Sequence, residues 1–350
     1  MRFFKALIIL FCSFCIVLAG AGVITSIGYS WLEQWGEKSF FTATPVEVSL
    51  EPGMPLSALS EELFEKGIVS SKDIFKWWVK YCNDYSSFQA GNYRFEDSLS
   101  PTKIAAMMKN GDVHVPVLFE LAIPEGFTVK QIAARAENLG ICSEQELLQN
   151  AFSPKFTEQF DIPVASLEGY LFPATYALTE QLTAQELLQK MVNTFFSRLP
   201  DDYKQNLAQK GLSLHQGVIF ASLIERETQL DSERDMVSEV IWNRLNKKIA
   251  LGIDASIIYG IKDYDGNIRR RHLDDKSNIY NTRLHRGLPP GPIASPGTAS
   301  LEAVLKPTSH GFYYYVVDAD NLVQHRFSRT LKEHNSNVAA YLRAIKARKK

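Results

Sequence analysis

Two glutamates near the end of one predicted helix are the residues best placed for acid–base chemistry. Ser213, with Gln216 three positions later, forms a capping-box pattern that predicts a helix from 214 to 228. Because each helical residue turns the chain by about 100°, Glu225 and Glu227 point to nearly opposite sides. Glu227 shares its side with apolar residues, so we expect it to be buried, and we expect Glu225 to be solvated.

A carboxyl group on an apolar face has a raised pKa, because burial penalises its charged form. A protonated Glu227 would be a general acid able to donate to a glycosidic oxygen. The alternative is a structural glutamate paired with a cation, and Arg234 has the matching position if the helix continues. Hydrolysis would need a second carboxylate. Asp254 is the nearest candidate, although it could instead form a turn or a helix cap.

Other catalytic patterns are absent from the sequence. It has no Gly-x-Ser-x-Gly elbow, phosphate loop or dinucleotide fingerprint, and Ser256 and Ser295 lack spaced His–Asp companions. The seven histidines are scattered, so we expect no metal site and no cofactor. Two of the four cysteines lie in an apolar run near the amino terminus, which leaves Cys82 and Cys142 for one possible disulfide.

The amino terminus predicts a membrane anchor. Two basic residues lie in a short tip, residues 1–5, which we expect to be cytoplasmic, and an uncharged run at 6–29 is long enough to span a bilayer. The alternative is a cleaved signal peptide with Ala19–Ala21 as its cleavage site. We expect residues 6–29 to form one transmembrane helix, residues 30–45 to form a linker, and the rest to be exported.

The pattern of the exported part predicts an α+β fold with two folded regions. Residues 46–112 indicate a small βααβ module of the kind that binds amino-sugar chains, although any small α+β domain gives this pattern. Residues 113–345 indicate a larger mixed α/β domain, followed by a basic tail at 346–350. Three glycines and four prolines within 287–297 predict a rigid, exposed loop. A strand carrying three consecutive tyrosines is predicted at 312–317.

The composition is that of a globular protein with a cationic carboxyl-terminal end. Of 350 residues, 45% are hydrophobic and 22% charged, which excludes a disordered or fibrous chain. The net charge is −1, but residues 251–350 hold 16 basic and 9 acidic side chains. This excess favours an acidic partner, and the near-neutral total argues against nucleic acid.

Several segments together resemble the endolytic murein transglycosylase family, the YceG-like proteins. The resemblance covers nearly the whole chain and includes the membrane anchor. Its motifs are Glu168–Pro173, Ala221–Thr228, Ser232–Asp235, Asn243–Leu245, Ile258–Gly260, Tyr280–Thr282, Gly287–Gly297 and His334–Asn335.

This resemblance implies a single-pass inner-membrane enzyme, with a LysM-like module and a catalytic domain in the periplasm. Such enzymes cleave the β-1,4 bond between N-acetylmuramic acid and N-acetylglucosamine within peptidoglycan glycan strands. The family's catalytic glutamate precedes Thr in a Glu-x-Glu-Thr motif and corresponds to Glu227. It protonates the leaving oxygen and then acts as base on the C6 hydroxyl, which closes a 1,6-anhydro ring. The resemblance also suggests proximity to penicillin-binding-protein synthases and a role in ending nascent strands.

Groove positions follow from the same resemblance, and each of them could instead be structural. The expected substrate-binding residues are Asp254, Tyr259, Tyr280, Asn281, Thr282 and Pro290. The chain departs from the family pattern at Ile253-Asp254-Ala255, where Thr-Asp-Pro is usual, and at Arg283, where an aromatic residue is common. A two-carboxylate muramidase and a membrane-anchored murein-binding scaffold without turnover remain the alternative functions.

Overall fold

The computed structural model describes residues 23–40, 45–96 and 98–348. The chain divides into two compact units, Met1–Pro116 and Val117–Lys350. Both units contain helices and short strands, as the predicted α+β fold requires. All three sheets of the described residues are antiparallel and two-stranded.

The first unit is built around one antiparallel strand pair. Strand β1 pairs along its whole length with β2, and two helices connect them, which is the βααβ order expected from the sequence. Its elements are α1 (residues 23–36), β1 (Val46–Leu50), α2 (Leu56–Glu65), α3 (Lys72–Cys82), β2 (Gly91–Phe95) and α4 (Pro101–Asn110). The helices bury one face each, and the core contains Leu59, Phe75 and Tyr93. The LysM-like character of this module stays a prediction.

The second unit holds two strand pairs and eleven helices within the described residues. Strand β3 (Phe119–Ala122) pairs with β4 (Thr175–Leu178), and β5 (Tyr314–Val317) pairs with β6 (His325–Ser328). The helices are α5 (Val129–Asn138), α6 (Glu144–Ala151), α7 (Pro154–Thr157), α8 (Ala184–Ser197), α9 (Tyr203–Gln209), α10 (Leu214–Glu227), α11 (Asp231–Asn246), α12 (Asp254–Tyr259), α13 (Arg270–Leu273), α14 (Thr298–Leu305) and α15 (Leu331–Arg348).

Helix α10 is the central helix of this unit. The predicted capping box forms, since Ser213 accepts from the backbone of Gln216 while the Gln216 side chain accepts from the backbone of Ser213. Every residue from 217 to 224 is buried. At Gly217 a Cβ would lie 2.4 Å from Leu207, so the absence of a side chain lets α9 pack closely. The helix ends at Glu227, because Thr228 has extended backbone angles.

The Pro- and Gly-rich loop differs from its prediction. Residues 291–297 are buried, so the expectation of a wholly exposed loop was wrong. The backbone N–H of Ile293 donates to the buried Ser222 hydroxyl on α10, and the carbonyl of Ser295 accepts from Gly126. The loop has no regular structure, so these contacts supply the hydrogen bonds that its buried backbone N–H and C=O groups need. The loop therefore covers α10 directly.

The predicted transmembrane helix at 6–29 lies largely outside the described residues. Its last residues, 23–29, belong to α1, whose described part ends at residue 36. None of the helices in the described ranges has the length and apolar character needed to cross a membrane. Cys82 and Cys142 are both free thiols, so they do not form the disulfide that the sequence allowed.

Candidate active site

Glu227 lines a cleft at the carboxyl-terminal end of α10. It is partly buried, and the Tyr315 hydroxyl on β5 donates to its Oε2 at 2.5 Å. The cleft has a volume of about 580 Å³ and is mainly polar. It is lined by Glu125, Gly126, Glu225, Arg226, Glu227, Thr228, Gln229, Arg234, Leu322, Val323 and His325.

The surroundings of Glu227 favour its protonated form. Burial raises the pKa of this carboxyl, and the negative charge of Asp254 acts in the same direction. The Tyr315 hydrogen bond and the positive charges of His325 and Arg244 oppose the rise without cancelling it. The end of a helix also carries partial negative charge, which disfavours a carboxylate there. Glu227 is thus suited to donate a proton, as its position on the apolar face predicted.

Glu225 has a different environment from the predicted one. Only 5% of its side chain is exposed, so the expectation of a solvated residue was wrong. Its Oε1 accepts from Arg234 at 3.2 Å, and its Oε2 accepts from the backbone of Gly297 at 2.9 Å. Arg234 therefore pairs with Glu225, and the proposed pairing of Arg234 with Glu227 does not form. Both glutamates line the cleft, but only Glu225 is held there in an ion pair with Arg234.

Arg234 connects several elements beneath the cleft. Its guanidinium also donates to Ser300 on α14 at 2.8 Å and to Asp231 at 3.0 Å, and it lies 3.5 Å from Glu125. Because all these groups share one buried cation, α10, α11 and α14 are held in a fixed arrangement.

Glu233 connects two residues that line the cleft, Thr228 and His325. This buried carboxylate accepts from the Thr228 hydroxyl at 3.1 Å. It also accepts from the backbone N–H and the Nδ1 of His325, each at 2.7 Å. Thr228, the residue after Glu227, and His325, the first residue of β6, are thus both hydrogen-bonded to the Glu233 carboxylate. The hairpin that carries Tyr315 is thereby fixed beside Glu227.

Asp254 lies near Glu227 without contacting it directly. It begins α12, is about half exposed, and pairs with Arg283 at 3.0 Å. Arg283 and the segment Ile253-Asp254-Ala255 are the two places where the chain departs from the family pattern. The ion pair between Arg283 and Asp254 joins them. Through its charge Asp254 influences the pKa of Glu227.

Tyr259 and Tyr280 form a cluster around a buried carboxyl group. Their rings meet edge to face with centroids 4.8 Å apart, and the Tyr259 hydroxyl donates to Glu168 Oε2 at 3.0 Å. Glu168 also accepts from the backbone of Val129, the first residue of α5. Burial raises the pKa of Glu168 to about 7. Pro290 is exposed at the edge of the neighbouring loop.

Asn281 and Thr282 have their polar groups occupied within the protein. Asn281 is fully buried and its amide donates to the carbonyls of His272, Leu273 and Asp275. Thr282 is 1% exposed, and its hydroxyl accepts from the backbone of Ile253 and bonds Ser256. In this arrangement both residues hold loops together beside α12 and offer no unoccupied polar group to a sugar.

The sequence did not identify Tyr315, His325 and Glu233 as site residues. Tyr315 lies in the tyrosine-rich strand that was predicted, but no local signal showed which of three tyrosines faces Glu227. His325 and Glu233 are 92 residues apart, so only the fold brings them together. No group of three or more potential metal ligands is found in the part of the chain that the structure describes.

Together these features place a glutamate with a raised pKa at the edge of an open, polar cleft, which is the arrangement of a candidate general acid. The model of the YceG-like family matches residues 48–340, which include Glu227, Glu233, Tyr315 and His325. The chain belongs to the YceG-like family.

Proteins and structures similar to this chain agree with that assignment. An endolytic murein transglycosylase of Bacillus subtilis is 29% identical over 313 residues, covering 85% of each chain. One of Streptococcus pneumoniae serotype 2 is 28% identical over 366 residues, covering 97% of this chain and 65% of that protein. The crystal structure of a yceG-like protein from Listeria monocytogenes matches 83% of this chain and 98% of its own, with a TM-score of 0.57 and 29% identity.

Proposed function

We propose that this chain is an endolytic murein transglycosylase. It cleaves the β-1,4 bond between N-acetylmuramic acid and N-acetylglucosamine within glycan strands and leaves 1,6-anhydro ends. The observation that carries this proposal is the partly buried Glu227, whose pKa is raised, in an open cleft. The names of the curated relatives support the same activity.

Glu227 begins the reaction as a general acid. Its Oε2 accepts from Tyr315, so Oε1 is the oxygen left to carry the proton into the cleft. Proton transfer to the glycosidic oxygen breaks the bond to C1 as positive charge develops there. The C6 hydroxyl of the same muramic acid then attacks C1 and loses its proton to the Glu227 carboxylate, which is thereby protonated again. Because the nucleophile is intramolecular, correct orientation supplies much of the rate enhancement.

The cellular setting is part of the proposal. The uncharged run at 6–29 supports a single-pass inner-membrane protein with both units in the periplasm. There the βααβ unit would act as a LysM-like module that binds glycan strands. The cationic carboxyl-terminal part suits peptide stems that carry carboxylates. We place the enzyme beside penicillin-binding-protein synthases, where it would end nascent strands.

Mass spectrometry of digested glycan strands tests this function. The wild-type protein should produce 1,6-anhydromuramic ends, and Glu227→Gln should lower the rate by about 10³-fold with the fold retained. Glu302→Gln, an exposed change on α14, is the matched control.

The other products identify the alternatives. Reducing ends that disappear in both Glu227→Gln and Asp254→Asn would show a two-carboxylate muramidase. An intact substrate after treatment with wild-type protein would show a binding scaffold.

A further inference from the structure

Two aromatic residues on one face of α3 are exposed to solvent. Trp77 and Tyr81 are four residues apart, so they share a face of the helix, and their exposed fractions are 60% and 59%. The other side of α3 packs into the core of the first unit through Phe75, Trp78 and Val79. The core therefore does not use the two exposed rings. Neighbouring exposed apolar groups of this size mark an interaction surface.

Helix α1 is a fixed part of the same unit. Its Leu32 and Trp35 are buried in the core that also contains Trp78. At Gly36 a Cβ would overlap the Trp78 indole, so the absence of a side chain lets α1 and α3 pack closely. The chain therefore enters the first unit as a packed helix.

Helices α1 and α3 run in opposite directions, which brings the end of α3 beside the end of the uncharged run. Trp78 lies against Gly36, the last residue of α1. Tyr81 instead lines a groove of about 570 Å³ with earlier residues of α1, which include Tyr29. Tyr29 is the last residue of the uncharged run at 6–29. The packing therefore places Tyr81 at the level where this run ends.

The side chains around this level suit the boundary of a bilayer. Tyr29 and Trp31 are also about half exposed, and Lys80 extends its Nζ to 5.5 Å from the centre of the Tyr81 ring. Tyrosine and tryptophan have an apolar body and a polar edge, and lysine has an apolar stem and a charged end. All three residue types favour the headgroup region of a membrane.

A sugar chain could also stack on exposed aromatic rings, but the continuation of this surface favours lipid. Along α1 it leads to Ile24 and Ile27, which are 73% and 64% exposed. Aliphatic side chains offer no hydrogen bonds to sugar hydroxyls. They belong to the same uncharged run, whose length matches the thickness of a bilayer.

We propose that α3 lies on the surface of the membrane from which the chain emerges, an inference that rests on the proposed membrane location. Trp77 and Tyr81 are placed in the phospholipid headgroup region, beside the end of the anchor, and Lys80 reaches the lipid phosphates. Because α1 is packed into the first unit, this contact holds the unit against the bilayer in one orientation. The remaining surface of the unit stays available to glycan strands.

Photo-cross-linking tests this contact in the full chain, reconstituted in vesicles of phosphatidylethanolamine and phosphatidylglycerol. Benzoylphenylalanine replaces Trp77 or Tyr81 and, on irradiation, bonds to C–H groups that touch it. Both positions are exposed, so the replacement leaves the core intact. Mass spectrometry should find the mass of one phospholipid added at each position.

Phe64 on α2 is the matched control, because it is 44% exposed but does not line the groove beside α1. The same label there should give little phospholipid adduct. The inference is overturned if positions 77 and 81 give no more phospholipid adduct than position 64, or if they give glycan adducts instead in irradiated cells.

Alkaline carbonate extraction of the same vesicles tests the anchor separately. A chain that is released from the vesicles contradicts the proposed membrane location. A chain that is retained but gives no phospholipid adduct at 77 and 81 contradicts this inference alone.

Discussion

Glu225 and Glu227 show how two residues on one helix acquire different roles. Glu225 faces a buried cation and a backbone N–H, which stabilise its charge. Glu227 faces a tyrosine hydroxyl and a cleft, where burial favours its neutral form. The difference comes from what packs on each side of α10, since the residue type is the same.

Glu225→Gln should destabilise the second unit without removing the acid. The change leaves Arg234 buried with one of its anionic partners lost, and breaking such a pair costs roughly 3 kcal/mol. Urea unfolding should show a lower midpoint, while folded protein at low temperature still forms anhydro ends. A variant as stable as the wild type but without activity would transfer the acid role to Glu225.

The pH dependence of kcat/KM should follow the pKa of Glu227. An acid is active while protonated, so activity falls as the pH rises through its pKa, and a raised pKa moves this fall to higher pH. Tyr315→Phe removes a bond that stabilises the carboxylate, so the fall should move further upward. Asp254→Asn removes a negative charge and should move it downward. Shifts of the same sign in both variants would contradict the assignment.

Helical periodicity was sufficient to predict the partial burial of Glu227, because the apolar residues that share its side of the helix are close to it in the sequence. It was insufficient for Glu225, whose partner Gly297 is 72 residues away. The same reason explains why Asn281 and Thr282 were predicted only through resemblance. Their hydrogen bonds join loops whose approach depends on the folded unit.

At the level of elements, the sequence predicted regular structure better than loops. The helix predicted at 214–228 is observed as Leu214–Glu227, and the βααβ order of the first unit is observed. Residues 291–297 of the Pro- and Gly-rich loop were placed wrongly on the surface. Its prolines and glycines correctly exclude regular structure, but they do not show that Ser222 and Gly126 supply its backbone partners.

The junction of α5 and α12 should carry a measurable pH dependence through Glu168. The pKa of this carboxyl is about 7 when folded, above its ordinary value of 4.5, so the folded state holds the proton more tightly. Its contribution to the free energy of unfolding is therefore fully present below about pH 4.5 and is lost as the pH rises to about 7. The loss amounts to about 3 kcal/mol.

Glu168→Gln removes this titration. The difference in unfolding free energy between variant and wild type should shift in favour of the variant by about this amount between pH 4.5 and 7. Hydrogen exchange of the most protected α10 amides measures it, with the exposed Glu302→Gln as control. A difference that stays constant over this range would show that Glu168 does not titrate there.

For the whole molecule, the near-zero net charge conceals an uneven distribution. The last hundred residues carry the positive excess, and they supply the hairpin that lines the cleft. The amino-terminal end is uncharged over 6–29. These two features are the sequence observations that support the proposed membrane location and the proposed acidic substrate.

The proposed membrane anchor gives the last prediction. Tyr29 and Trp31 are about half exposed on α1, just where the uncharged run ends, and such residues favour the boundary between lipid and water. The full chain should therefore stay with membranes after alkaline carbonate extraction, and mass spectrometry should find an intact amino terminus. A variant without residues 1–22 should be released. A wild-type chain that is soluble and begins directly after Ala21 would show instead that the run is a signal peptide.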